Sequence, residues 1–117
     1  MDHPRLFVYG TLRRGSPNQY ADLLQANAQF LGNARLRGRL HQFAGYPGAV
    51  PSDQPDEWVP GELYQLQNLS ILSTLDEYEG PEFERIQTTV SLDNGQALET
   101  WVYLVAHAHR RAAFTLL

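Results

Sequence analysis

Apolar residues in this chain come in short runs broken by glycine, proline and polar clusters, and only two stretches carry them at helical spacing. The first run, Leu6 to Tyr9, ends at Gly10 and predicts a buried strand that meets a loop. Ser16 followed by Pro17 predicts a helix start, because a serine can cap free amides and proline suits the first turn. Tyr20, Leu23 and Leu24 supply that helix's apolar face. Phe30 to Leu31 and Leu36 to Phe43 are strand candidates broken by Gly32 and Gly38. Trp58 to Leu66 is another, in which Pro60 and Gly61 point to an edge or a bulge. Asn68 or Ser70 can cap a second helix, with Leu69, Leu72, Leu75 and Tyr78 at helical spacing and Gly80-Pro81 as its stop. Ile86 to Leu92 and Ala97 to Val105 flank Asp93-Asn94-Gly95, a hairpin signal.

The order is strand, helix, several strands, helix, hairpin. Two short helices and six or seven mostly antiparallel strands make an α+β fold, a sheet curled into a small mixed β-barrel. Strand and helix do not alternate, which disfavours a doubly wound parallel sheet. The 117 residues suit one domain, with a core over about 5–105 and a short C-terminal tail.

Composition narrows the chemistry. All nine basic residues are arginine and there is no cysteine. Lysine Schiff bases, a Walker-type lysine, thiol nucleophiles, disulfides and cysteine metal sites are thereby excluded, leaving oxygen and imidazole groups. No run approaches the ~18 apolar residues of a membrane span. The N-terminus lacks the basic-then-apolar layout of a signal peptide, so a cytoplasmic location is expected. A net charge of −4 argues against a general nucleic-acid binder. Arg35, Arg37 and Arg39 alternate along a strand and are expected to form a solvated face.

Three segments could carry chemistry. Val8 to Gly15 joins the first strand to the first helix, and a glycine-containing loop there can turn backbone amides toward an anion or can simply be a turn. Arg13 and Arg14 could clamp an anion or face solvent. Leu75 to Arg85 holds five carboxylates near a helix end. With Leu75 in the core, Tyr78 and Glu79 turn inward while Asp76 and Glu77 rotate outward. A carboxylate at the negative end of a helix and partly buried has a raised pKa, suited to proton transfer near neutral pH, so Glu79 is the candidate; a surface acidic cluster beside Arg85 is the other reading. His107 and His109 alternate but lack a third ligand, and no metal is expected. His3 and His41 stand alone, so nothing in the sequence supports a Ser-His-Asp triad.

Taken together, LFVYGTLRRGSPNQ (6–19), FLGNARLRGRLHQFAGYPGAV (30–50), VPGELYQL (59–66), LDEYEG (75–80) and FER (83–85) resemble the γ-glutamylcyclotransferase-like family. That family includes the γ-glutamylamine cyclotransferases and the plant AIG2-like proteins. The resemblance covers about residues 5–105, and YGTL combined with a downstream LDEYEG is its specific part. It implies a mixed barrel flanked by helices, with a cavity formed by Tyr9, Gly10, Thr11 and Leu12 and a catalytic Glu79. It also implies a reaction in which the α-amino group of a small γ-glutamyl compound attacks its own side-chain carbonyl, giving 5-oxoproline and an amine, without cofactor or metal. Tyr46 and Tyr103 are further lining candidates. Family members commonly carry Tyr-x-Arg after the glutamate, where this chain has Phe83-Glu84-Arg85, and Glu82 stands as a second candidate for the acid/base. A non-catalytic metabolite-binding protein of the same fold is the alternative function, and an oligonucleotide-binding small barrel a more distant one.

Overall fold

The computed structural model describes residues 4–43 and 46–106, with the side chains of 42–43 and 46–47 left aside. Six strands and two helices follow in the order β1 (Arg5–Val8), α1 (Gln19–Asn27), β2 (Ala28–Phe43), β3 (Tyr46–Pro51), β4 (Trp58–Leu66), α2 (Ile71–Glu79), β5 (Phe83–Leu92) and β6 (Ala97–Val105). The sheet runs β3-β2-β4-β1-β6-β5, and β5 pairs back onto β2 through Ala34↔Leu92 and Arg35↔Ser91. Five strands therefore close into a barrel, with β3 added outside it on β2. Only β1 and β6 run parallel. Among the described residues, no helix is long and apolar enough to cross a membrane.

Burial on both faces explains the unbroken apolar run of β1. Leu6 and Val8 pack with Leu24, Ile71, Leu72 and Leu75 of the two helices. Phe7, and Tyr9 just beyond the strand, point the other way, into a cluster with Ala34, Leu36, Val59, Leu63, Val90 and Val102 inside the barrel. A strand enclosed in this way is fixed on both sides, so the loop that leaves it at Tyr9 starts from a rigid point.

Several boundaries differ from the expected ones, each for a local reason. The helix expected to start at Ser16-Pro17 is capped by Asn18 instead, whose Oδ1 accepts from the Ala21 amide at 2.8 Å. Gly32 and Gly38 do not break a strand. β2 runs through both, and Gly32, at φ 147°, sits at a bulge where the register against β4 shifts between Phe30 and Gly32. β4 pairs with both β1 and β2, but the β1 pairing reaches only Glu62, so at Pro60 the strand has a neighbour on one side, the local edge expected there. Leu69 precedes α2 and is exposed, while Asn68 Oδ1 accepts from the Ser70 amide and hydroxyl. β5 begins at Phe83 rather than Ile86. The hairpin turn is as expected, with Gly95 at φ 92°. Arg35 and Arg37 are exposed with their guanidinium groups over Trp58, and Arg39 bonds Glu57 through two hydrogen bonds.

Gly61 is required by close approach. A Cβ there would lie 2.4 Å from the Val8 carbonyl oxygen and 2.6 Å from the Phe7 ring. Gly61→Ala is therefore expected to destabilise the fold by about 1–3 kcal/mol or more, read as a lower denaturant midpoint at unchanged slope. A wild-type midpoint would show that both the Val8 carbonyl and the Phe7 ring can give way at little cost.

Candidate active site

Tyr9 is the first residue after the enclosed strand, and its phenol is used twice. The hydroxyl donates to the Tyr103 carbonyl at 2.5 Å and accepts from the Ala49 amide at 3.0 Å, tying the end of β1 to β6 and β3. Burial, joined by the neighbouring Glu79 charge, holds the phenol above its ordinary pKa even though the Ala49 amide pulls it down, so it stays protonated. Beyond Tyr9 the chain turns, with the Arg13 amide donating to the Gly10 carbonyl at 3.2 Å. Asn18 Nδ2 holds the Thr11 carbonyl at 2.8 Å while its Oδ1 caps α1, so one side chain fixes the loop to the helix that follows. From the barrel side, Glu62 accepts the Arg14 amide at 2.8 Å and the Tyr64 hydroxyl at 3.0 Å.

Gly10 is not among the described glycines with positive φ, which are Gly15, Gly32, Gly80 and Gly95. It lines the cavity, where the absence of a side chain leaves its backbone open to a ligand. Arg13 bonds the Gly10 carbonyl, and the Arg14 guanidinium pairs with Glu62 and lies 4.0 Å over the Phe30 ring; neither is among the cavity-lining residues.

The opposite wall comes from the last turn of α2. Leu75 is fully buried, which turns Tyr78 and Glu79 toward the loop, as helical geometry requires. The Tyr78 hydroxyl shares a hydrogen bond of 2.6 Å with Thr11 Oγ1, and its ring stacks on Tyr20 at 4.3 Å. Gly80, at φ 82°, ends the helix directly after Glu79. A cavity of about 200 Å³ results, lined by the 7–12 segment together with Tyr78, Glu79, Phe83 and Tyr103. Tyr9, Gly10, Thr11, Leu12 and Glu79 are thus brought together, and Tyr103 joins them. Glu82 is not in the lining, and its carbonyl accepts the Ala106 amide at 2.7 Å. The Tyr46 side chain, His107 and His109 lie outside the described residues.

The two carboxylates on the barrel-facing side of α2 have opposite environments. Burial raises the Glu79 carboxyl to about 7. Asp76, expected to rotate into solvent, is instead held by Arg85, whose Nε and Nη2 donate at 2.8 and 3.1 Å, and by the Tyr103 hydroxyl at 2.7 Å. Arg85 lowers its pKa, burial opposes that, and Tyr103 adds to the lowering. The surface-cluster reading therefore describes Glu77, which is exposed, and in part Asp76, whose side chain is 41% exposed and paired with Arg85, but not Glu79, which lines the cavity. Asn18, Glu62 and Asp76 were absent from the expected site. The available signal for Asp76 was Arg85, the lone cation at the end of an acidic stretch.

Among the described residues, Glu79 is also the only charged side chain in the cavity lining, which it shares with the 9–12 loop. One group able to exchange a proton near neutral pH, set in a small cavity beside this loop, suits proton transfer on a small polar molecule.

The sequence pattern of the family described as gamma-glutamyl cyclotransferase, AIG2-like matches residues 6–115. A Drosophila melanogaster protein named as a putative gamma-glutamylcyclotransferase is 32% identical over 110 residues, covering 86% of this chain and 69% of that one. A Niallia circulans protein named gamma-L-glutamyl-butirosin B gamma-glutamyl cyclotransferase is 36% identical over 112 residues, covering 86% and 66%. A Vibrio cholerae protein, named a putative gamma-glutamylcyclotransferase, is 35% identical over 107 residues, covering 90% and 84%. The chain thus spans about two-thirds of the length of the fly and Niallia relatives. A solved AIG2-like protein of Mus musculus shares the fold at a TM-score of 0.78 and 23% identity, over 100% of this chain and 86% of that chain. The chain belongs to the gamma-glutamyl cyclotransferase, AIG2-like family.

Proposed function

We propose that this chain is a γ-glutamyl cyclotransferase that converts a γ-glutamyl amine or γ-glutamyl amino acid to 5-oxoproline and the free amine, with Glu79 as base and then acid. Family membership supports the general class, a cyclotransferase acting on a small γ-glutamyl compound. The observation that carries the finer reading is the placement of a carboxyl titrating at about 7 in the same cavity as the Tyr9–Leu12 loop.

The reaction is intramolecular, so the site's first task is to hold the substrate folded on itself. Backbone amides of Gly10, Thr11 and Leu12 are the groups available to receive its carboxylate or the developing oxyanion at the γ-carbonyl. The α-amino group arrives as ammonium and gives one proton to Glu79. Its nitrogen then forms the ring C–N bond as the bond from the γ-carbon to the departing nitrogen breaks. Glu79 passes its proton to the departing nitrogen and then carries across the second proton that the ring nitrogen loses, so the amine leaves as ammonium and the enzyme ends as it began. Tyr9 acts as wall and fastening rather than as acid, because its hydroxyl already donates to Tyr103.

In an assay of 5-oxoproline release from a panel of γ-glutamyl amines and dipeptides, Glu79→Gln is expected to lower turnover by about a hundredfold or more. Glu82→Gln should keep most of the activity. The reverse pattern would move the role to Glu82, and binding without turnover by the wild type would make this a metabolite-binding protein. The base must be ionised to begin the cycle, so turnover should rise with pH through about 7.

Stability should carry the opposite sign. The raised folded-state pKa of Glu79 favours the native state below the unfolded value, and that contribution is lost as pH rises toward about 7. Glu79→Gln should therefore melt higher than wild type at pH 8, by an amount on the order of a few kcal/mol at most, with little difference at pH 4.5. Equal melting temperatures at both pH values would mean that Glu79 is hydrated in the native state.

A further inference from the structure

We propose that Tyr103, acting with Asp76, is a positioning residue that holds Glu79 against the Tyr9–Leu12 loop. This rests on the reading of Glu79 as the proton-transfer group. Glu79 is the last residue of a nine-residue helix, and a helix end frays unless its terminal groups are held. Asp76 holds this one from within, since its carbonyl accepts the Gly80 amide at 3.1 Å. Its carboxylate fastens the same turn to the barrel through Tyr103 and the two-pronged Arg85 contact. Arg85 and Tyr103 are cross-strand partners in the β5–β6 ladder, and the Arg85 guanidinium lies 4.5 Å over the Trp101 ring, so the anchor for Asp76 is itself rigid.

Tyr103 also reaches the other wall of the cavity. While its hydroxyl goes to Asp76, its carbonyl takes the Tyr9 hydroxyl, directly before the loop that begins at Gly10. One residue of β6 therefore bonds to both halves of the site and lines the cavity between them. Its phenol is committed to Asp76, so it serves geometry rather than proton exchange. Loosening it should displace Glu79 and let water reach the carboxyl, and misplacement of about 1 Å is enough to cost on the order of a hundredfold in rate.

The test is Tyr103→Phe, with Asp76→Asn as the second variant, assayed well below their melting temperatures beside Glu79→Gln. Tyr103→Phe keeps the ring and the carbonyl bond to Tyr9 and removes only the hydroxyl. The expected result is a fall in kcat of about tenfold or more with KM changed less than about twofold. The low-pH limb of kcat should move below its wild-type position, because a hydrated Glu79 titrates nearer its ordinary value. Asp76→Asn should lower kcat in the same direction, and the double variant should fall no further than the worse single variant. A lower melting temperature with kcat and its pH limb unchanged, in whichever of the two variants folds, would overturn the proposal and leave the pair a purely structural fastening. Full activity of Glu79→Gln would instead overturn the reading of Glu79 on which it rests.

Discussion

Keeping a carboxylate largely away from water, with no cation beside it among the described residues, is the constraint on which this site depends. Glu79 would gain solvation if the last turn of α2 lifted from the barrel, so the turn must be held down by contacts that do not neutralise it. Leu75, fully buried, supplies the apolar part of that hold. Asp76 supplies the polar part by taking up Arg85 and the Tyr103 hydroxyl. Two carboxylates three residues apart are thereby pushed in opposite directions, one paired and kept ionised, the other buried and raised to about 7. Such divergence between neighbouring acids is how one fold separates a structural carboxylate from one that exchanges protons.

The rest of the fold sets the facing wall. Because β1 is buried on both faces and paired with β4 and β6, the chain emerges at Tyr9 from a fixed point. Asn18 and Glu62 then hold the loop from two sides. Thr11 and Tyr78 close the rim between loop and helix. The cavity therefore depends on the pairing of β1 with β6, which lets Tyr103 meet both Tyr9 and Asp76.

Features set by adjacent residues were legible in the sequence. The apolar run of β1, the bounds of β4, the Gly80 stop and the turn at Gly95 follow from local pattern and backbone chemistry. So did the placing of Glu79 on the inward face of a helix and of YGTL at the end of a strand. What depended on distant partners was not legible. A continuous β2 requires knowing that the Gly32 bulge serves closure against Leu92, some 60 residues away. The inward hold on Asp76 requires Tyr103, 27 positions on. Helical geometry alone turned Asp76 outward, and only the hydrogen bond from the distant Tyr103 hydroxyl ties it back to the barrel.

The most direct measurement is a residue-specific titration of the Glu79 carboxyl by carbon-detected NMR, with Glu79→Gln used to assign the resonance. A midpoint near 7, together with an Asp76 midpoint below the usual carboxylate range, is the expected result. A Glu79 midpoint near 4.5, the value of an unperturbed glutamate, would mean that the helix end does not exclude water and that burial is not what prepares this residue for proton transfer.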